Sequence, residues 1–118
     1  MSERLGAVES KFADIIWNNE PLRPVELEKL AEAELNWKRT TTLTILKRLC
    51  ERGIFQNKDR IITSLISREE FYALQSEKFV NDTFEGSLPA FLTAFGSRKK
   101  LSDKEVEELK KVIDSMRR

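Results

Sequence analysis

The stretch Lys38-Arg39-Thr40-Thr41-Thr42-Leu43-Thr44-Ile45-Leu46-Lys47-Arg48-Leu49-Cys50-Glu51-Arg52-Gly53, running on into Ile54-Phe55-Gln56-Asn57-Lys58-Asp59-Arg60-Ile61, decides the fold. Its first part reads as a helix over roughly 38–52, with Leu43, Leu46, Leu49 and Cys50 recurring at helical spacing on an inner side. Gly53 ends it, glycine being the usual residue just past a helix. Two short apolar runs at 54–56 and 61–66 read as strands, with the polar turn 57–60 between them.

Working upstream, Val8, Phe12, Ile15, Ile16 and Trp17 predict a first helix over 7–18, ended by Asn18-Asn19-Glu20-Pro21. Pro24 fits a first helical turn, where its missing N–H costs nothing. Val25, Leu27, Leu30 and Ala31 extend that start into a second helix over 24–34, joined to the third by Leu35-Asn36-Trp37. Three helices followed by a hairpin with a basic tip are the pattern of a winged helix-turn-helix. In that architecture the third helix enters the major groove and the hairpin lies along the DNA backbone.

Working downstream, Ser67-Arg68-Glu69-Glu70 and Ser102-Asp103-Lys104-Glu105 read as capping boxes opening helices at 68–83 and 103–116. Ser87-Leu88-Pro89 starts a helix between them, carrying Leu88, Phe91, Leu92 and Phe95 and ended by Gly96. The fold expected is mainly α (α+β), with a winged-helix domain over 1–66 and a helical dimerisation region over 67–118. Five of the seven Phe, namely Phe71, Phe79, Phe84, Phe91 and Phe95, fall in that second region, which is too short to bury them by itself. A second copy of the segment would supply the missing partner; the alternative is that these rings pack back on the N-terminal domain. The expected interface is Phe79, Phe84, Leu88, Phe91, Leu92, Phe95, Val106, Leu109, Val112 and Ile113, with Met116 also turned inward.

Charge is uneven along the chain. The net charge is only +1, yet residues 38–60 carry seven Lys and Arg against two acids. Residues 1–37 carry four against eight, and 61–118 carry ten of each sign. Phosphate contact requires a local basic patch rather than a high total, although a solvated helix face with a few extra cations reads similarly. The residues expected to meet DNA are Lys38, Arg39, Thr40, Thr41, Thr44, Lys47, Arg48, Lys58 and Arg60. Thr at 40, 41, 42 and 44 makes a helix start of poor propensity, a cost that suggests use of the hydroxyls. Arg48 reads equally as a phosphate contact or as a tie to its own domain, and Lys58 and Arg60 as phosphate contacts or an ordinary solvated turn. Trp17 and Trp37 read as core.

Several classes of function are disfavoured. The 118 residues contain no His, the commonest general base and zinc ligand. The single Cys50 allows no disulfide within the chain and reads as a small buried hydrophobe, with nothing nearby to support a redox role. No phosphate-binding glycine loop, nucleophile elbow or metalloprotease motif occurs. No catalytic residue, cofactor or metal is expected, and no enzyme, though a carboxylate pair among 20 Asp and Glu stays open as a rival. No run of 18 apolar residues spans a membrane, and Met1-Ser2-Glu3-Arg4-Leu5 lacks a signal-peptide core, so the cytoplasm is the expected compartment. A winged helix that binds protein and never touches DNA is the second rival.

The residues also resemble a known family over nearly the whole chain. Glu9 with Ile15-Ile16-Trp17, then Trp37 and Thr40-Thr41-Thr42-Leu43-Thr44-Ile45-Leu46-Lys47-Arg48-Leu49, are similar to the penicillinase repressor (BlaI/MecI/CopY) family. Gly53-Ile54, Ser67-Arg68-Glu69-Glu70-Phe71, Phe84-Glu85-Gly86-Ser87-Leu88 and Leu101-Ser102-Asp103-Lys104-Glu105-Val106-Glu107-Glu108-Leu109 continue the match. The resemblance implies a homodimeric transcriptional repressor on double-stranded, two-fold operator DNA. In the β-lactamase branch, tied to antibiotic resistance, a membrane sensor/protease system responds to antibiotic and the repressor is cut at an Asn-Phe bond. Ala94-Phe95 lies where that bond falls, with Ala94 in place of the Asn. The copper branch carries a cysteine-rich tail, whereas this chain ends Asp114-Ser115-Met116-Arg117-Arg118, so copper sensing by that route is not expected. Many members carry a basic residue where Leu43 stands, so their operator sequence is not carried over. The releasing signal stays open between the β-lactam route, another stress and constitutive repression.

Overall fold

The computed structural model describes residues 5–118; Met1–Arg4, part of the segment read for a signal peptide, lie outside the described residues. Element order is α1 (Ala7–Asn19), α2 (Pro24–Leu35), α3 (Arg39–Glu51), β1 (Phe55–Lys58), β2 (Ile61–Ser64), α4 (Arg68–Phe84), α5 (Leu88–Gly96) and α6 (Asp103–Ser115). The chain divides into two compact units, one ending at Ser76 and one running from Glu77 to Arg118.

The first unit has one apolar core. Phe12, Ile16, Leu27, Ala31, Leu49, Phe55 and Ile62 are wholly buried, one or two from each of five elements. Their spacing follows from amphipathic helices that each turn one stripe inward. Pro24 occupies the first turn of α2, and the Arg23 N–H donates to Glu26 Oε1 at 2.9 Å. Asn36, in the left-handed region at φ 57, ends α2 and turns the chain into α3. Asn tolerates that conformation because its short polar side chain bonds locally.

The end of α3 sets up the hairpin. Gly53, at φ +79, donates to Cys50 O at 3.0 Å, and Ile54 N donates to Leu49 O at 3.2 Å. These are the two crossed bonds of a Schellman motif, with buried Ile54 and Leu49 supplying its apolar contact. The strands pair antiparallel from Phe55↔Ser64 to Lys58↔Ile61, so only Asp59 and Arg60 form the turn. Both have positive φ, 54° and 63°, the backbone of a two-residue type I′ turn that matches strand twist. This corrects the reading of 57–60 as turn: Asn57 and Lys58 belong to β1, while Ile54 leaves the strand to close the helix cap. The second strand also stops at Ser64: Leu65 N still donates to Ile54 O at 2.8 Å, but Ile54 N is spent on Leu49 O, so the ladder is not continued. Leu22 adds a one-residue bridge to Ile62, its N–H donating to Ile62 O at 3.2 Å and its carbonyl accepting at 2.8 Å.

The start of α4 belongs to the first unit. Ser67 Oγ accepts from Glu70 N at 3.0 Å and so caps it. Phe71 is buried, and Trp17 stacks on Phe55, Phe71 and Tyr72 at 5.1, 5.7 and 6.0 Å. Trp17 Nε1 donates to Ile66 O at 3.0 Å, and Arg68 Nε donates to Asp14 Oδ1 at 2.7 Å. Of the five late Phe, then, Phe71 packs back on the N-terminal core. Because Phe71 and Tyr72 are held there, the first unit extends beyond residue 66.

The second unit holds the rest of α4 with α5 and α6. Ser87 Oγ accepts from Ala90 N at 3.1 Å, and Ser102 with Glu105 forms the full capping box expected from sequence. No residue from Glu77 onward is buried.

Candidate nucleic-acid interface

Helical geometry sorts the residues of α3. Thr42, Leu46 and Leu49 are buried, and the opposite face, a half-turn away, carries Thr40, Thr44 and Lys47, flanked by Thr41 and Arg48. Lys38 is the N-cap and Arg39 begins the helix. All nine residues expected to meet DNA are exposed: these seven, together with Lys58 at the end of β1 and Arg60 in the turn. The expectation that Leu43 belongs to the inner side is corrected. It is half-buried at the flank of the helix, and Thr42 takes the inward place. The threonine cluster thus splits into three exposed threonines and one wholly buried Oγ1 that has no hydrogen-bond partner among the described residues.

Two of the cations are held by acids of the same unit. Arg39 Nε lies 3.1 Å from Glu28 Oε1, and Arg48 Nη1 lies 3.9 Å from Glu9 Oε2. Both arginine side chains remain more than half exposed, 74% and 55%, and such surface pairs contribute at most about 1 kcal/mol. They orient the guanidinium groups without locking them away. Lys38, Lys47, Lys58 and Arg60 have no ion-pair partner among the described residues. Burial, and secondarily the adjacent Glu51 carboxylate, push the Cys50 thiol up, away from the reactive thiolate form.

An open cleft of about 610 Å³ lies between the start of α2, the start of α3 and the hairpin tip. Arg23, Arg39, Arg60 and Asn57 stand around it, with Val25 and Leu43 supplying apolar wall. Sequence reasoning had not singled out Arg23, which sits outside the basic stretch. Its only local signal is its place before Pro24, at the head of the helix that leads into α3.

In the second unit, none of the ten expected interface residues is buried. Phe79, Phe84 and Phe91 contact one another edge to face at 5.7–6.1 Å, and Phe95 adds to Phe91 at 6.3 Å. Phe91, Leu92, Phe95, Leu101, Leu109 and Val112 line an apolar groove of about 450 Å³ between α5 and α6. Val112, Ile113 and Met116 are 53%, 48% and 64% exposed. Ala94 and Phe95 are exposed on α5 near its end.

The methicillin resistance regulatory protein MecI of Staphylococcus aureus (strain Mu50 / ATCC 700699) is 25% identical over 114 residues, covering 93% of each chain. MecI of Mammaliicoccus sciuri is 24% identical with the same coverage. The penicillinase repressor of Bacillus licheniformis is 22% identical over 115 residues, covering 94% of this chain and 90% of its own. These are names of regulators and not of enzymes. The family model described as penicillinase repressor matches residues 5–115, so the chain belongs to the penicillinase repressor family.

Proposed function

We propose that this transcriptional regulator represses by holding double-stranded operator DNA as a homodimer. The observation that carries the reading is the outer face of α3. Exposed threonines and lysines line it, and a hairpin with a basic tip stands beside it. Such a helix presents side chains to base edges while its N-terminus and the hairpin hold phosphates. The dimer part rests on a second unit of 42 residues that carries an aromatic cluster yet fully buries no residue in a single chain. Two copies place two recognition helices on one two-fold site.

Release is assigned to the second unit. Ala94–Phe95, the bond at the position cut in β-lactam-responsive members, is accessible but helical. A protease needs extended backbone, so cleavage requires α5 to unwind locally first. The membrane sensor would act through that protease step and not by contact with DNA.

The test is a titration of the purified protein against fragments from its own upstream region at several salt concentrations. A specific complex whose affinity falls steeply with salt supports the reading. Equal, weak binding to all duplexes overturns it in favour of a protein-binding winged helix.

A further inference from the structure

We infer that Arg23 is the third arm of a clamp on one phosphodiester strand, with Arg39 and Arg60 as the other two and Leu43 with Val25 as its apolar wall. The inference rests on the DNA-binding reading above and adds to it a residue and a partner surface. With α3 in the major groove and the hairpin outside it, the sugar-phosphate strand bordering that groove has to pass between the two. The space between them is the cleft of about 610 Å³, and its arms come from three separate elements: Arg23 from the head of α2, Arg39 from α3 and Arg60 from the hairpin turn.

The charge in the cleft is only partly compensated. Three arginines line it with one acid, Glu28, which is engaged through Arg39 Nε. Arg23 and Arg60 have no ion-pair partner among the described residues. Like charges gathered in one cleft repel until an anion enters, so the free protein is poised to take one. The Glu28 contact occupies Nε of Arg39 and leaves its two Nη groups for a phosphate, which guanidinium recognises through paired donors. Val25, 56% exposed, and the half-buried Leu43 offer apolar surface to a deoxyribose rather than donors to a base edge. The clamp therefore holds any duplex and carries no sequence preference of its own.

The test compares wild type, Arg23→Ala and Arg23→Lys on the operator fragment and on a random duplex of equal length, each across a salt series. Arg23→Ala is expected to weaken both duplexes several-fold by a similar factor and to lower the salt slope by about one. Arg23→Lys is expected to keep the slope, since the slope counts charges. Thermal melting of each variant checks folding, and the exposed position of Arg23 favours an intact fold. If wild type binds with steep salt dependence and folded Arg23→Ala matches it in affinity and slope, the clamp is overturned and the DNA-binding reading stands. A loss confined to the operator also overturns it, by making Arg23 a reader of sequence. If wild type shows no salt-dependent affinity for any duplex, both readings fall together.

Discussion

At the scale of single residues, the winged helix keeps two local conflicts, and they differ in kind. Thr42 is wholly buried and its Oγ1 has no partner among the described residues. A buried hydroxyl left unpaired costs about 1–3 kcal/mol. Thr42→Val, which keeps the shape and removes the hydroxyl, is expected to raise unfolding stability by about 1 kcal/mol. DNA affinity should stay unchanged, because the position faces away from the outer side of α3. Urea unfolding with an unchanged slope checks this, and a lower midpoint would mean the hydroxyl is satisfied in solution. Arg60 is the other conflict, a large side chain held at φ 63° in a turn that prefers glycine. Its conformation costs about 1–2 kcal/mol. Arg60→Gly should recover about that much in stability while weakening DNA binding and lowering its salt dependence, so stability and affinity move in opposite directions. A variant that gained stability and kept full affinity would show that the arginine has no part in binding.

At the scale of elements, the joint between α3 and the hairpin decides how the site is aimed. Gly53 sits at φ +79, and among the described residues no atom beyond its chain neighbours lies within 4 Å of where a Cβ would stand. Gly53→Ala therefore meets no clash, and its cost is the backbone strain alone, about 1–2 kcal/mol. Denaturant melting should show that loss, with Gly53→Asn milder because Asn tolerates the left-handed region. An unchanged midpoint would mean the cap relaxes to another geometry. The same joint shows what could be read in the sequence and what could not. Helix starts were legible at Pro24, Ser67, Ser87 and Ser102 because caps are local chemistry written in adjacent residues. The basic face of α3 was legible because helical spacing alone fixes it. Leu43 was misplaced because Thr42, a polar residue, takes the inward position that periodicity assigned to its apolar neighbour. The strand ends shifted because the turn residues Asp59 and Arg60 carry no glycine to mark them. The Leu22–Ile62 bridge and the cleft shared by Arg23 and Arg60 join residues far apart in the chain, and no local pattern announces them.

At the scale of the whole molecule, the two units differ in what a single chain can satisfy. The first buries Phe12, Phe55, Ile16, Leu27, Leu49 and Ile62 completely and has its own core. The second has rings touching rings, yet every residue from Glu77 onward stays at least partly exposed. Apolar surface of that kind is a stable solution only when something covers it, and in the proposed homodimer the cover is a second copy of the same face. Val112 and Ile113 make a clean test because both are about half exposed in one chain, so charging them barely disturbs the protomer. The double variant Val112→Glu, Ile113→Glu is expected to sediment as a monomer, its first unit melting as in wild type. Each half-site must then be held alone, and losing the linkage should lower operator affinity by about 10²–10⁴-fold. Affinity for a single half-site should be untouched, since α3 and the hairpin are unaltered. A variant that stays dimeric would move the interface off the exposed face of α6. A monomer that kept full operator affinity would instead mean that one chain makes every DNA contact by itself.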